Sequence, residues 1–316
     1  MRPALLPALV FGVGAGPALA VTGPGGQACR IQIVAELPFT LVKGQPRIEA
    51  EVNGRKGWFL LRTSASGGFL YTHVAREMKI ARDDTGASTS DDRPVSRIKL
   101  KSIKIGAINQ SDAPFLTALD NPAEEGELGM IGRDLPGAGD MEIDWPARKV
   151  RYLKLTGCKD DASPVYWSKD YSIAEILPLD DGVIAGPVYV RAEIGGRKAR
   201  AGFSTSQEYS FVPKAYALAA GVDRASFDTP PLFTDDKQLR WLVVAPAISI
   251  GEETVKAVHL MSGPNDKGRM DQPYLILGQD FFQSHRVVFA YSQNKVYFTY
   301  LGGAPFRTTA PENAKP

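Results

Sequence analysis

Two stretches of the chain are versions of one another: residues 48–70, IEAEVNGRKGWFLLRTSASGGFL, and residues 190–212, VRAEIGGRKARAGFSTSQEYSFV. Placed in register they share eight residues at a constant offset of 142, with Thr63 lying over Thr205. A duplication of this period indicates two copies of one unit, since the copies are too long for a solenoid repeat.

The duplication continues beyond these stretches. At offsets of 145 to 146, LKSIKIG (100–106) lies over APAISIG (245–251), IGRDL (131–135) over LGQDF (277–281), and KVRYL (149–153) over KVYFT (295–299). The two units therefore differ only by small insertions.

Each unit consists of short alternating or apolar runs broken by Gly, Pro, Asn and Asp, a pattern that predicts β-hairpins with tight turns. Only residues 72–80 and 213–220 have a helical pattern, and these two segments are repeat-equivalent. The sequence thus predicts an all-β protein of two homologous lobes with little helix. The lobes join within residues 156–171, where TGCKDDASP is polar and contains proline.

The first twenty residues contain Arg2, a short apolar run and a small-residue ending, PALA. This pattern predicts a signal peptide cut after Ala20, because the run is too short and broken for a membrane span. Cys29 follows GPGGQA, which is not an apolar lipobox. The predicted organisation is signal peptide 1–20, N-terminal lobe 21–160, C-terminal lobe 161–303 and flexible tail 304–316.

Charge and cysteine content narrow the class of protein further. The chain has 37 Lys and Arg against 35 Asp and Glu, interspersed along its length, so nucleic acid is not an expected partner. Cys29 and Cys158 are the two cysteines, and an even count in an exported chain favours one disulfide closing the first lobe. Two buried thiols are the alternative. A periplasmic or secreted location is expected, without stable membrane insertion.

The repeated motifs resemble a known family. An apolar strand runs into x-Thr-Ser, and about 70 residues later comes an apolar-apolar-Gly-x-Asp sequence. These motifs are WFLLRTSASGGFLY (58–71) with GMIGRDL (129–135), and ARAGFSTSQEYSFV (199–212) with LILGQDFF (275–282). The chain resembles aspartic proteases in their bacterial, retropepsin-like form. The resemblance implies the bilobal acid-protease fold, with the two x-Thr-Ser loops meeting at the centre.

The resemblance places aspartates immediately before Thr63 and Thr205, where this chain has Arg62 and Ser204. Two close carboxylates share one proton, so that one acts as base on a water and the other as acid. A guanidinium accepts no hydrogen bond, and a serine hydroxyl is a weak base. We therefore predict no catalytic residues and no aspartic-protease activity.

The remaining frame of the family is retained. The resemblance implies that the two threonines cross-bond the lobes beneath the cleft, that Gly132 and Gly278 let a backbone pass closely, and that Asp134 and Asp280 bond local backbone. Candidate cleft residues are Arg62, Thr63, Ser64, Ser204, Thr205, Ser206 and Glu208. We expect Glu208 to pair with Arg62; alternatively, Arg62 is free to bind an acidic group of a ligand.

A second motif imitates a catalytic one. Asp84-Thr85-Gly86 spells the sequence around a catalytic aspartate, yet no apolar strand leads into it and its neighbours are polar. Its repeat partner is residues 228–230. We predict a solvated loop that forms or borders the flap.

The sequence gives little support for serine-nucleophile, metal or phosphate-binding chemistry. None of the three histidines maps near Ser204, and Lys198, six residues upstream on the same predicted strand, lies roughly 20 Å away. His285 is expected at the surface or in a turn. No metal-ligand spacing or phosphate-binding loop occurs, so no cofactor is expected.

The sequence favours a pseudoprotease that binds a peptide or protein segment in or near the interlobe cleft without cutting it. Two alternatives remain. One is an active endopeptidase with unconventional residues, including Asp84 supplied in a homodimer. The other is a structural or assembly protein that does not use the cleft.

Overall fold

The structure is a computed structural model. It describes residues 18–22, 28–65, 67–88, 93–118, 124–133, 139–158, 162–178, 187–233, 239–264 and 274–309.

The described residues form strands and a few short helices. The strands are β1 (Ala18–Thr22), β2 (Ala28–Pro38), β3 (Thr40–Val42), β4 (Gln45–Val52), β5 (Arg55–Leu61), β6 (Phe69–Leu70), β7 (Arg82–Ser88), β8 (Pro94–Ile105), β9 (Ile108–Thr117), β10 (Glu127–Ile131), β11 (Asp140–Asp144), β12 (Lys149–Thr156), β13 (Ser172–Glu175), β14 (Val188–Ile194), β15 (Arg197–Phe203), β16 (Phe211–Pro213), β17 (Leu232–Phe233), β18 (Leu239–Ile250), β19 (Glu253–Gly263), β20 (Tyr274–Leu277), β21 (His285–Ala290) and β22 (Lys295–Tyr300). The α-helices are α1 (Thr72–Glu77), α2 (Lys214–Ala219) and α3 (Gln279–Ser284), and short 3-10 helices lie at Arg224–Phe227 and Tyr291–Gln293.

Each lobe is a closed six-stranded barrel. In the first, strands follow the order β4-β5-β10-β6-β9-β8, and pairing of β4 with β8 closes the barrel. In the second, the order is β14-β15-β20-β16-β19-β18, and pairing of β14 with β18 closes it. Corresponding strands occupy corresponding places, so the predicted all-β, two-lobed fold is confirmed.

A third sheet joins the lobes. Its order is β1-β2-β12-β11-β21-β22-β13, with the two units meeting at the antiparallel pair β11 and β21. The strands on either side of this pair are repeat-equivalent, which relates the lobes by a pseudo-twofold axis. Because backbone hydrogen bonds cross this axis, the lobes are two halves of one continuous hydrogen-bonded structure.

The tight turns predicted from the repeats are present. Asn53 and Gly54 connect β4 to β5 with φ of 49° and 84°, and Gly195 and Gly196 connect β14 to β15 with φ of 56° and 73°. Two successive positive φ values match the twist of antiparallel strands, and glycine and asparagine adopt them readily.

The hydrophobic core spans both lobes. The Trp145 side chain, which follows β11, stacks on Phe282 of the second lobe with ring centroids 5.9 Å apart. The Phe39 ring also packs against Trp145, with ring centroids 5.0 Å apart. Both Trp145 and Phe282 are fully buried, so separating the lobes would expose large aromatic surfaces to water.

Helices α1 and α2 lie within the two segments predicted to be helical, whereas α3 was not predicted. Helix α3 is six residues long and buries five of them, including Gln279 and Asp280. A helix buried on nearly all sides shows no amphipathic period.

Three further predictions stay open. Within the predicted flexible tail 304–316, Phe306 is 5% exposed and packs in the core; residues 310–316 lie outside the described residues, and the flexibility of the tail stays a prediction. The predicted signal peptide falls mainly on residues 1–17, also outside them, and its cleavage point lies within β1. The boundary at residue 160 likewise lies outside them and stays a prediction.

The Cys29–Cys158 disulfide is present, with the two Cα atoms 4.4 Å apart. It connects β2 to the residues following β12, and both strands belong to the sheet between the lobes. The predicted disulfide is therefore confirmed: it joins two residues near the two ends of the predicted N-terminal lobe and fastens the sheet between the lobes.

Candidate functional site

The two repeated Thr-Ser loops meet at the centre of the molecule. In the first, the Arg62 N–H donates to Ile131 O at 2.8 Å; in the second, the Ser204 N–H donates to Leu277 O at 2.9 Å. Each bond continues a parallel pairing, of β5 with β10 and of β15 with β20. The barrels thus hold both loops in equivalent positions.

Four hydrogen bonds lock the loops together. The Thr63 Oγ1 hydroxyl donates to Phe203 O at 2.9 Å and accepts from Thr205 N at 3.1 Å. The Thr205 hydroxyl donates to Leu61 O at 2.8 Å and accepts from Thr63 N at 3.1 Å. Both threonines are fully buried. The cross-bonding implied by the resemblance is therefore present, and Arg62 and Ser204 lie on adjacent loops.

The two glycines of the frame allow close backbone approach. A Cβ atom on Gly132 would lie 1.9 Å from Ala65 O, and one on Gly278 would lie 2.6 Å from the carbonyl carbon of Tyr209. Both distances are shorter than any real contact, so neither position tolerates a side chain without backbone movement.

Asp280 has the structural role predicted for it. Its carboxylate is 2% exposed and accepts hydrogen bonds from Ser210 N, Ser210 Oγ and Phe281 N at 2.7 to 3.0 Å. Burial raises the pKa of the Asp280 carboxyl, and the bonds from Ser210 oppose that shift. The Asp280 carboxylate thereby holds Ser210, at the end of the second loop that precedes β16. Asp134, its counterpart, and Ser66 lie outside the described residues.

The Arg62 side chain is half-buried and has no hydrogen bond or ion pair to any described residue, and its Nη1 is buried without a partner. Burial lowers the pKa of the guanidinium, while Tyr71 and Glu127 oppose the shift electrostatically. The Glu127 carboxylate already accepts from Tyr71 Oη at 2.6 Å and from Glu124 N at 3.2 Å.

The expected pairing of Glu208 with Arg62 is wrong. Glu208 instead forms an ion pair with Arg307 of the C-terminal segment, whose guanidinium also lies 5.1 Å from the centre of the Tyr209 ring. Glu208 is exposed, so its carboxylate turns outward to Arg307 and leaves Arg62 uncompensated.

Ser204 is buried, and its Oγ lies 2.8 Å from Ser206 Oγ. The partner of this hydroxyl is another hydroxyl, which is a poor base. Lys198 is exposed near the opposite end of β15. Among the residues that the structure describes, none is placed as a general base to activate Ser204 as a nucleophile.

Gln279 connects the second loop to the first lobe, a role that sequence reasoning missed. Its Nε2 donates to Gly44 O at 2.6 Å and to Thr205 O at 2.9 Å. The position of Gln279 directly after the repeat glycine Gly278 could have indicated a role at the central loops. The sequence around Tyr71, Glu127 and Arg307 contains no such indication, because their contacts join distant parts of the chain.

Asp84 lies in strand β7, not in a loop as predicted. It pairs with Ser96 of β8 beside a bulge, and its Oδ1 accepts from Gly86 N at 2.9 Å. The residue is exposed and lies at the edge of the first lobe's sheet. The bulge explains the error, since a bulged edge strand with polar side chains has the composition of a loop.

His285 is fully buried, contrary to the prediction of a surface position. Its Nδ1 lies 2.8 Å from Phe281 O, its Nε2 lies 2.9 Å from Glu253 Oε1, and its ring stacks on Phe281 at 3.9 Å. These contacts tie β21 to the second barrel, so the residue stabilises the structure.

Metal binding and membrane spanning find no support within the described ranges. No group of three His, Cys, Asp or Glu side chains in them could hold a metal ion. None of the helices in that part of the chain is long and apolar enough to cross a membrane.

Two linked barrels, a joining sheet and threonine-bonded central loops define the fold of the aspartic proteinases. The structure is similar to the crystal structure of aspartic proteinase from Irpex lacteus, with a TM-score of 0.53, 10% sequence identity, and coverage of 84% of this chain and 97% of that chain. No protein-family model and no curated protein sequence matches the chain. The likeness therefore establishes the fold.

Proposed function

We propose that the protein is an exported, catalytically inactive relative of aspartic proteases, which binds an extended peptide or protein segment between its lobes without cutting it. The observation that supports the proposal is that the two loops joined by threonine bonds carry Arg62 and Ser204 immediately before those threonines, where the resemblance to aspartic proteases implies two carboxylates.

The chemistry supports inactivity. Peptide hydrolysis on this frame needs a carboxylate that takes a proton from water and a partner that protonates the scissile carbonyl. Arg62 stays protonated, and burial does not turn a guanidinium into a working base. The hydroxyl of Ser204 is bonded to Ser206. Neither loop therefore supplies the base at the position where the attacking water would be held.

The intact frame supports retained binding. The threonine bonds, both close-approach glycines and Asp280 preserve the relative position of the two loops. Strand β7 lies at the edge of its sheet with mostly exposed side chains. An edge strand can pair with an extended peptide through backbone hydrogen bonds, with little dependence on the peptide's sequence.

Cleavage of a randomised peptide library between about pH 3 and 7, followed by mass spectrometry, tests inactivity. We expect to find no peptide products whose formation is blocked by a transition-state-analogue inhibitor of aspartic proteases. The matched positive control is Arg62→Asp combined with Ser204→Asp, which places a carboxylate on each loop. Inhibitor-sensitive cleavage by the unmodified protein, lost in Asp84→Asn, would overturn the proposal in favour of an active homodimer.

Binding and export need separate measurements. Retention of the labelled protein on the same library tests binding, and failure to bind any peptide form would favour a structural or assembly role. The signal pattern and the Cys29–Cys158 bridge support export. Mass spectrometry of the mature chain should show a start after Ala20 and no free thiol.

A further inference from the structure

Within the described part of the central loops, the Arg62 guanidinium is a charged group that is left unsatisfied. It carries five N–H donors, yet it donates to no described residue, and Nη1 is buried without a partner. A half-buried cation without a directly paired anion is destabilising, and proteins normally pair such a group. The missing anion is therefore expected from outside the described structure.

The two acids treated so far among the described residues already have partners. Glu127 attracts Arg62 electrostatically, but its two oxygens accept from the Tyr71 hydroxyl and the Glu124 N–H. Glu208 is paired with Arg307. Neither carboxylate can move to Arg62 without breaking a contact that it already makes.

The opposite loop adds a neutral donor. Ser204 and Ser206 share one hydrogen bond between their hydroxyls, so one of the two hydroxyl protons is left to donate. Either hydroxyl can be the donor in this bond, and Ser206 N lies 3.4 Å from Ser204 Oγ. Ser206 is also partly exposed. A cationic fork on one loop and a hydroxyl donor on the adjacent loop together suit an anion with two acceptor oxygens.

We propose that the centre of the interlobe cleft is a carboxylate-binding site, in which Arg62 binds an acidic group of the bound segment with help from the Ser204–Ser206 pair. The inference rests on the proposed function and specifies its ligand. With Arg62 and Ser204 in place of two acids, the central loops would bind carboxylates, whereas two acids at these positions would repel them. The carboxylate is either an acidic side chain within the segment or the carboxyl group at its end.

The test uses randomised decapeptides on beads in three matched forms: a central Glu with a C-terminal amide, a central Gln with a C-terminal amide, and a central Gln with a free C-terminal carboxylate. The labelled protein is titrated against each form. We expect one carboxylate form to bind at least about 30 times more tightly than the uncharged form, because a desolvated charge pair contributes this much or more. Whichever form binds more tightly identifies the source of the carboxylate.

Variants assign the preference to Arg62. Arg62→Met should bind all three forms equally, and Arg62→Lys should keep only part of the preference, because an ammonium lacks the planar fork. Arg197→Met is the matched control: it removes the same charge from an exposed position at the start of β15 and should keep the full preference. Thermal unfolding of each variant confirms that it is folded.

The outcomes separate this inference from the proposed function. Equal binding of all three forms by the unmodified protein would overturn the carboxylate site and leave peptide binding intact. A preference that persists in Arg62→Met would also overturn it. If no form binds, the proposed function fails and the carboxylate site fails with it.

Discussion

Replacing Thr205 by valine tests whether the central threonine bonds hold the lobes together. Valine has nearly the shape of threonine, so the substitution removes the hydroxyl without opening a cavity. The Thr63 N–H loses its acceptor and the Leu61 carbonyl loses its donor. Both residues are fully buried, and water cannot replace the lost partners while the loops stay in place.

The expected loss of stability follows from these two groups. A buried polar group left without a partner costs about 1 to 3 kcal/mol, so two such groups predict a loss of roughly 2 to 6 kcal/mol. Thr63→Val should cost a similar amount, because its bonds are the symmetric pair. The double variant should lose less than the sum, since loops that have already separated admit water to both sets of groups.

Urea unfolding followed by tryptophan fluorescence and circular dichroism measures these losses from the shift of the midpoint. Thr254→Val is the control. Its hydroxyl lies 2.9 Å from that of Ser249 on an exposed hairpin, and its loss should change the stability by less than about 0.5 kcal/mol. If Thr205→Val were as stable as this control, the central bonds would not join the lobes.

Three other perturbations have defined outcomes. Gly132→Ala places a Cβ atom 1.9 Å from a backbone carbonyl and should cost about 3 kcal/mol or more; unchanged stability in thermal unfolding would contradict the packing. Replacing Cys29 and Cys158 together by serine should lower the stability by about 2 to 5 kcal/mol, and equal urea midpoints for the variant and the oxidised protein would show that the bridge contributes nothing. The hydrogen bond from Lys149 lowers the pKa of Glu36, so its contribution is present above the unfolded-state pKa and is lost as the pH falls through the folded-state pKa. Glu36→Gln should therefore be less stable than the unmodified protein by at most about 0.5 kcal/mol at pH 7, and the two should be equally stable near pH 3. A stability difference that grows as the pH falls would contradict the predicted pH dependence.

The frame of the candidate site could be predicted because its residues lie at fixed positions in a repeated pattern. Thr63 and Thr205, with Gly132 and Gly278, each follow an apolar strand in both units. Once the duplication places equivalent strands in equivalent barrels, the contacts of these residues follow from the symmetry. Asp84 was assigned correctly to a place away from the central loops but wrongly to a loop, because strand propensity alone does not identify a polar edge strand.

The amino-acid sequence by itself determined the number of lobes, the hairpins and the place of Arg62 and Ser204 at the ends of equivalent apolar strands, since alternation, turn residues and repeats are properties of neighbouring positions. The tertiary structure alone decided the partners of the charged groups. Glu208 pairs with Arg307, 99 positions away, and His285 is buried against Glu253, 32 positions away. Such pairs depend on strand register and on the path of the C-terminal segment, neither of which leaves a local pattern. Among the described residues Arg62 has no hydrogen-bonded or ion-paired side chain, since Glu208 is paired with Arg307 and Glu127 accepts from Tyr71, 56 positions away.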